Sequence, residues 1–563
     1  MTGIGSSRGK MRTVTIPFTP FPDQRPGTSG LRKKVRVFRQ PGYVESFVQA
    51  IFDAMPEALG EGIAGKTLVL GGDGRFFNTE AAQIVLRVMA GNGVGLALVG
   101  KDGLLSTPAV STIIRERGAF GGIVLSASHN PGGEDGDFGI KLDIANGGPA
   151  PERVTDAIWE KTKSLGEYRT VEAPPVPLDR LGRGRLGGMR VEVIDPVVDY
   201  AALMERIFDF DRIRDLFRGG FRLRFDAMHA VTGPYATEIF ERRLGARAGT
   251  AVNAAPKPDF GGLHPDPNPT YAADLVAALS AADGPDLGAA SDGDGDRNMV
   301  VAKGTGLGAG VVGPSDSLAI LAANAGLIPW FKDGLPGVAR SMPTSRAVDR
   351  VAEALGIACY ETPTGWKYFG SLLDDGRIRL CGEESAGTGS DHLREKDGLW
   401  AVLFWLNVLA VRGESAAAVV AGHWRRFGRH YYARHDYERV PTEAAGRLLD
   451  LLRSGLPGLP GQRVGDFTVA AADEFAYRDP VDGSISEHQG IRIEFSEGVR
   501  LVYRLSGTGT EGATLRVYIE RFEPDPARQG LDPAAVLAPL AAAAAHLADM
   551  PHILGRVTPD IVA

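Results

Sequence analysis

Gly122-Ile123-Val124-Leu125-Ser126-Ala127-Ser128-His129-Asn130-Pro131-Gly132-Gly133 passes from an apolar run into small hydroxyl residues and then into turn chemistry. The apolar run reads as a buried strand. Asn-Pro-Gly-Gly does not continue a strand, so Ser128 is expected on a tight loop at a strand end, where chemistry is commonly mounted. A serine followed at once by His129 suggests an oxygen nucleophile, or an oxygen carrying a phosphoryl group, beside a proton-handling side chain. A polar turn capped by a histidine satisfies the same residues, so the decision passes to the rest of the chain.

The same punctuation recurs along the sequence. Thr67 to Leu70 precedes Gly-Gly-Asp-Gly-Arg, Leu223 to Phe225 precedes Asp226, and Leu287 to Ala290 precedes Ser291 and an acidic loop. Val338 to Arg340 precedes Ser341-Met342-Pro343, and Ile378 to Leu380 precedes Cys381-Gly382-Glu383-Glu384-Ser385. Helical patterns separate these strands, which predicts α/β units with function on loops beyond the carboxyl ends of strands. From about Tyr437 the pattern changes. Short alternating strands (490–495, 500–505, 514–520) precede a final helix opened by Asp532-Pro533, which predicts an α+β domain. The Gly/Arg-rich stretch from Leu181 to Arg190 reads as a surface connection.

A length of 563 residues predicts about four domains. Apolar content of 44% and charged content of 23% are those of a soluble globular protein. The net charge of −7 is spread along the chain and argues against nucleic acid or an acidic membrane surface as partner. Two cysteines, Cys359 and Cys381, fit a reducing cytoplasm. No secretory signal is legible in Met1 to Lys10, and the apolar stretch from Val536 to His546 is too short to span a bilayer.

Asp292-Gly293-Asp294-Gly295-Asp296-Arg297 alternates three carboxylates with glycine, so all three can turn toward one point. Oxygen-only ligands select a hard cation, Mg²⁺ before Ca²⁺ where phosphoryl chemistry is concerned. An EF-hand is excluded because Arg297 stands where its glycine is needed and Lys303 where its bidentate glutamate is needed. Glu383 and Ser385 offer, in one turn, an acceptor and a donor-acceptor suited to vicinal sugar hydroxyls. Arg504-Leu505-Ser506-Gly507-Thr508-Gly509-Thr510, with Arg516 beyond, has the composition of a phosphate cradle. Its G-x-G-x-x-G is followed by a strand rather than a helix, which excludes a dinucleotide fingerprint.

Taken together these motifs resemble the α-D-phosphohexomutases, and within them the phosphoglucomutase branch. The resemblance implies that Ser128 is the phosphorylated nucleophile. It implies that Asp292, Asp294 and Asp296, with an oxygen on Ser128, are the Mg²⁺ ligands, and that Arg297 contacts the phosphoryl group. Thr364 and Gly365 would line the sugar site with Glu383 and Ser385. His392 lies in a segment resembling the one that follows the sugar loop and is assigned to substrate binding. Arg504, Ser506, Gly507, Thr508, Thr510 and Arg516 would hold the phosphate that is not transferred, and Arg32 would sit near the phosphoserine. Lys141 and Lys396, together with His129, are the acid/base candidates; a lysine base requires a lowered pKa. Ser126 and Ala386 stand where the family usually has threonine and an aromatic residue.

The implied architecture is α/β: three similar mixed α/β sheet domains plus a smaller C-terminal α+β domain around a central active-site cleft. The expected boundaries are 1–199 with the phosphoserine loop, 200–313 with the metal loop, 314–430 with the sugar loop and 431–563 with the phosphate loop. The implied reaction interconverts glucose 1-phosphate and glucose 6-phosphate, with Mg²⁺ and with glucose 1,6-bisphosphate as the activating intermediate. The expected partner is a hexose phosphate, with no nucleic acid and no membrane, on a cytoplasmic monomer or weak dimer. Rival readings are a mutase for mannose or N-acetylglucosamine phosphates, a phosphohydrolase using Ser128, and a non-catalytic binding protein.

Overall fold

The computed structural model describes residues 12–27, 29–304, 310–506 and 512–563. The apolar runs are strands. Thr67–Gly72 is the hub of the first sheet, parallel to Leu96–Leu104 on one side and to Gly121–Leu125 on the other. Asp137–Ile144 returns antiparallel beside Gly121–Leu125. The same four-strand arrangement recurs twice. In the second domain Ala251–Val252, Leu223–Asp226 and Leu287–Ser291 are parallel and Asn298–Ala302 antiparallel. In the third, Ala358–Thr362, Gly337–Ser341 and Leu380–Glu383 are parallel and Gly387–Ser390 antiparallel. The link between the last parallel strand and its antiparallel neighbour is therefore one topological position. It carries Ser128 in the first domain, the three aspartates in the second, and Ser385 in the third.

Local chemistry fixes the helices that cover these sheets. Ser106 caps Thr107–Arg117 by accepting from the Ala109 N–H at 3.2 Å, Pro108 opens its first turn, and Gly118 closes it at φ +59°. Gly398–Arg412 is buried from Gly398 to Leu409 on every face, as a core helix must be. One apolar core is continuous through the first three domains, from Val69 and Val110 past Phe225 and Leu287 to Val338 and Trp405. The last domain has its own core, built on a seven-stranded antiparallel sheet and the helix Pro533–Leu547. It meets the third domain through a small cluster around Met342, Tyr477 and Tyr518. Among the described residues no single helix is long and apolar enough to cross a membrane.

Three details differ from the sequence reading. The segment from Leu181 to Arg190 is not a plain connection. Gly182–Leu186 turns through Gly187, at φ +59°, onto Met189–Ile194 and adds a hairpin to the edge of the first sheet. Leu186 and Met189 point inward while Arg183, Arg185 and Arg190 face solvent, a pattern too sparse in apolar residues to read as a strand. The strand before the sugar loop starts at Leu380, not Ile378, and runs on through Glu383. The last domain's sheet begins well before Tyr437, with Arg429–Val440.

Candidate active site

Ser128 stands three residues beyond its strand in the left-handed region, at φ +54°, a conformation that costs a non-glycine residue on the order of 1 kcal/mol. Buried partners hold it there. Arg75, fully buried, donates to the Ser128 carbonyl at 2.6 Å and to the Asp137 carbonyl at 2.9 Å, while its Nε pairs with Asp73 at 2.9 Å. The Ser128 N–H donates to Ser126 Oγ at 2.7 Å, and that hydroxyl also lies 2.7 Å from Asp73 Oδ2 and 2.9 Å from Asp294 Oδ2. Ser128 Oγ donates to Asp292 Oδ2 at 2.9 Å and lies 3.4 Å from His129 Nδ1. Asp73 and Arg75, in the Gly-Gly-Asp-Gly-Arg loop after the strand Thr67–Gly72, thus support Ser128, a role no sequence motif assigns them; their one signal is a carboxylate and a guanidinium two residues apart after a buried strand.

The three aspartates converge. Their ligand oxygens lie within 4.8 Å of one another and all three residues are buried. Gly295, at φ +85°, permits the turn, and Asp292 Oδ1 accepts the N–H groups of Gly295 and Arg297 at 3.1 and 3.0 Å. Asp294 Oδ1 and Asp296 Oδ1 are buried without a hydrogen bond, each a cost of roughly 1–3 kcal/mol unless an ion takes it up. Burial, with Asp296 and Asp294 alongside, pushes the Asp292 carboxyl well above the ordinary range. Clustered, oxygen-only and partly unsatisfied, this donor set fits a hard divalent cation.

Two lysines approach the same oxygens. Lys141 Nζ lies 2.5 Å from Asp294 Oδ2 and 3.6 Å from Asp296 Oδ2, and Lys396 Nζ lies 3.3 Å from Asp296 Oδ2. Burial works against the Lys141 ammonium, but Asp294 and Asp296 outweigh it and hold its pKa above the usual lysine value. That is the opposite sign from the one a lysine base requires. His129 behaves differently. Burial, with Arg297 and Arg32 near it, pushes its pKa well below the ordinary value, so the ring is neutral at pH 7.

A cleft of ≈ 360 Å³ gathers the remaining groups from all four domains. Arg32, His129 and Lys141 come from the first, Asp296 and Arg297 from the second, Thr364, Gly365, Glu383, Ser385 and Lys396 from the third, and Arg504 and Arg516 from the last. Glu383 Oε1 accepts the Gly365 N–H at 2.9 Å. The Nε atoms of Arg32, Arg297 and Arg516 and the hydroxyl of Thr364 are buried without hydrogen-bond partners, so the cleft presents unspent donors to an anionic ligand. Gly507, Thr508, Thr510 and the side chain of Ser506 lie outside the described residues.

The structure does not bring His392 into the cleft. Its ring is wholly buried, stacked on Trp400, with Nδ1 2.7 Å from Ser390 Oγ and Nε2 3.2 Å from Asp397 Oδ2. The resemblance places His392 beside site residues in sequence only; it lies in the turn beyond the strand Gly387–Ser390, where Ser390, Asp397 and Trp400 hold its ring in the core.

Four family descriptions match the chain in order. Phosphoglucomutase/phosphomannomutase alpha/beta/alpha domains I, II and III match residues 23–169, 199–306 and 314–427. The phosphoglucomutase-1 C-terminal domain matches residues 429–560. A phosphoglucomutase of Rhizobium radiobacter is 58% identical over 542 residues, 95% of this chain and 98% of that one. Phosphoglucomutase-1 of Oryctolagus cuniculus is 48% identical over 570 residues, 98% and 100% of the two chains. Among solved structures, the exocytosis-sensitive phosphoprotein pp63/parafusin of Paramecium, a phosphoglucomutase in its open form, superposes with a TM-score of 0.89 at 44% identity, covering 98% and 99%. The chain belongs to the phosphoglucomutase/phosphomannomutase family.

Proposed function

We propose that this protein is a phosphoglucomutase, interconverting α-D-glucose 1-phosphate and D-glucose 6-phosphate through phosphorylated Ser128. The observation that carries the chemistry is Ser128 Oγ at 2.9 Å from Asp292, beside a cleft lined by Arg32, Arg297, Arg504 and Arg516. In the first half-reaction the C6 hydroxyl attacks the phosphorus on Ser128. The O6–P bond forms as O6 passes its proton to neutral His129, the P–Oγ bond breaks as Oγ takes a proton from Lys141, and glucose 1,6-bisphosphate results. In the second, the bisphosphate presents its C1 phosphate to Ser128; the Oγ–P bond forms as Oγ returns its proton to Lys141, the O1–P bond breaks as O1 takes the proton held on His129, and glucose 6-phosphate is left.

This chain's residues divide the work. Glu383 and Ser385 hold ring hydroxyls in either orientation, so that one sugar site serves both half-reactions. Arg504 and Arg516 hold whichever phosphate is not reacting. Lys141, kept cationic by two aspartates, is suited to donate a proton to Ser128 Oγ as it leaves. Neutral His129, 3.4 Å from that oxygen, is suited to hold the proton that the attacking sugar hydroxyl gives up and to return it to the departing one. Asp292, Asp294, Asp296 and an oxygen on Ser128 would hold Mg²⁺, which when bound supplies positive charge to the transferring phosphoryl oxygens. Closure of the last domain over the cleft excludes water and protects the phosphoserine from hydrolysis.

The test is a coupled assay with glucose, mannose and N-acetylglucosamine 1-phosphates, run beside the Ser128→Ala variant. Isomerisation is expected for glucose 1-phosphate and absent in the variant, which keeps its sugar-phosphate affinity. A preference for another sugar, or net phosphate release, would overturn the reading.

A further inference from the structure

Behind the cleft lies a buried polar chain that no step above uses. Tyr200, on the helix Val198–Ile207, donates its hydroxyl to Asp397 Oδ1 at 2.6 Å. Asp397 Oδ1 also accepts the Trp400 N–H at 3.1 Å, capping the core helix, and Asp397 Oδ2 meets His392 Nε2 at 3.2 Å. Asp397, Tyr200 and His392 are all buried. A buried carboxylate with this many partners cannot shift without losing one of them. Residue 396 is bonded directly to this anchor.

Two backbone hydrogen bonds and two close approaches fix the same loop. The Asp397 N–H donates to the Thr388 carbonyl at 2.9 Å, and the Gly398 N–H donates to the Gly295 carbonyl of the metal loop at 3.0 Å. A β-carbon at Gly398 would overlap the Arg297 carbonyl oxygen, and one at Gly387 would overlap the Lys396 stem, so the lysine runs through a channel only glycine leaves open. From Tyr200 the chain continues toward the metal loop. Its ring packs edge-on against Tyr235, with centroids 5.5 Å apart, and the Tyr235 oxygen accepts the Ser106 N–H at 3.2 Å. The next residue, Thr107, donates its hydroxyl to Asp294 Oδ2 at 2.8 Å.

We infer that Tyr200 and Asp397 are positioning residues that set Lys396 against the aspartate loop, with His392 as the brace on Asp397 rather than a substrate ligand. This rests on the phosphoryl-transfer reading of the cleft. Removing the Tyr200 hydroxyl leaves Asp397 Oδ1 with the Trp400 N–H as its remaining partner, loosens the loop between Asp397 and Gly398, and lets the Lys396 ammonium drift from the site it shares with Asp296. The effect on chemistry is expected to pass chiefly through Lys396, the residue bonded next to Asp397, rather than by the longer path through Tyr235, Ser106 and Thr107.

The experiment is a double-variant cycle: wild type, Tyr200→Phe, Lys396→Met and the pair, with kcat and KM measured on glucose 1-phosphate. Tyr200→Phe is expected to lower kcat roughly 10- to 100-fold, the scale of a small misplacement, with KM within about twofold of wild type. Added to Lys396→Met it is expected to change kcat by less than about twofold. Multiplicative losses in the pair, or an unaltered kcat in Tyr200→Phe, overturn the inference. Should Tyr200→Phe fold poorly, Asp397→Asn keeps an oxygen for the helix cap and for Tyr200 and takes its place in the cycle.

A second readout does not need turnover. Acylation of lysines in the folded protein, followed residue by residue by mass spectrometry across pH, should show an altered rate at Lys396 in Tyr200→Phe and an unaltered rate at exposed Lys332. An unaltered Lys396 rate overturns the inference. A wild type that does not isomerise glucose 1-phosphate overturns the functional reading instead, and leaves the labelling result to decide this one.

Discussion

Gly293 passes so close beneath Ser128 that a β-carbon on it would overlap the Ser128 carbonyl oxygen. The loop with the Ser128 hydroxyl and the loop with the carboxylates are thus in backbone contact, which goes with the 2.9 Å approach of Ser128 Oγ to Asp292. Gly293→Ala must push the two loops apart. Overpacking of this kind costs about 1–3 kcal/mol, and a displacement near 1 Å costs on the order of 100-fold in rate. Mutase activity is expected to fall by that factor, with a lower melting temperature. Full activity in this variant would mean that the spacing of the two loops is not critical.

The unsatisfied oxygens of Asp294 and Asp296 make metal binding a stability statement as well as a catalytic one. Dialysis against a chelator is expected to abolish isomerisation, and Mg²⁺ to restore it. At a hundredfold excess over its dissociation constant the ion should add about 2.7 kcal/mol to folding stability. Asp292→Asn should lose most of that increment in a thermal melt. A melting temperature indifferent to Mg²⁺ in the parent protein would count against these three residues as its ligands.

Much of this site was legible because its chemistry is local. Three aspartates spaced by glycine, or a serine between a strand and Asn-Pro-Gly-Gly, need no distant partner to be noticed. What stayed hidden is non-local. Arg75 belongs to no motif in the sequence, and only the fold buries it against the Ser128 carbonyl. His392 reads as a ligand until the turn after the strand Gly387–Ser390 stacks it on Trp400. Three similar domains are implied by the resemblance, but the detail they share is a strand order that no residue pattern spells out, because each connecting loop has acquired its own residues. The hairpin Gly182–Ile194 escaped because an edge strand with one face in water needs few apolar residues.

Arg500 ties the last domain to the third. Its guanidinium, buried, pairs with Glu520 at 2.7 Å and donates to the carbonyls of Met342 and Thr344, each at 2.8 Å. Removing one partner of a buried pair costs about 3–5 kcal/mol. Because the last domain has a separate core, Arg500→Met should uncouple its unfolding from that of the other three. None of the six tryptophans lies beyond Trp424, so their fluorescence reports the first three domains. In urea, part of the circular-dichroism change is expected to precede the fluorescence change in the variant and to coincide with it in the parent. Coincident transitions in both would mean the domains unfold as one.

His423 makes the fold acid-sensitive from a position remote from catalysis. It lies buried on the helix Ala416–Phe427, its Nδ1 without a hydrogen bond. Burial, with His430, Arg426 and Arg412 adding to it, pushes its pKa down to about 3. Free histidine titrates near 6.5. Between those values the unfolded chain binds a proton that the folded chain refuses, so stability falls as pH drops from about 6.5 toward 3, by up to ~1.4 kcal/mol per pH unit. Asp316, which accepts from Trp424 Nε1 on the same helix, slopes the other way. Burial raises its pKa to about 6, so the folded chain holds a proton the unfolded one has released, and stability is lost as pH rises through 6. The two slopes partly cancel in the parent protein, which is why a difference measurement is needed. Urea midpoints of the parent and of His423→Gln, compared from pH 7 to pH 4.5, isolate the histidine. The variant is expected to lose stability less steeply as the pH falls, and parallel curves would show that His423 takes up its proton within the fold.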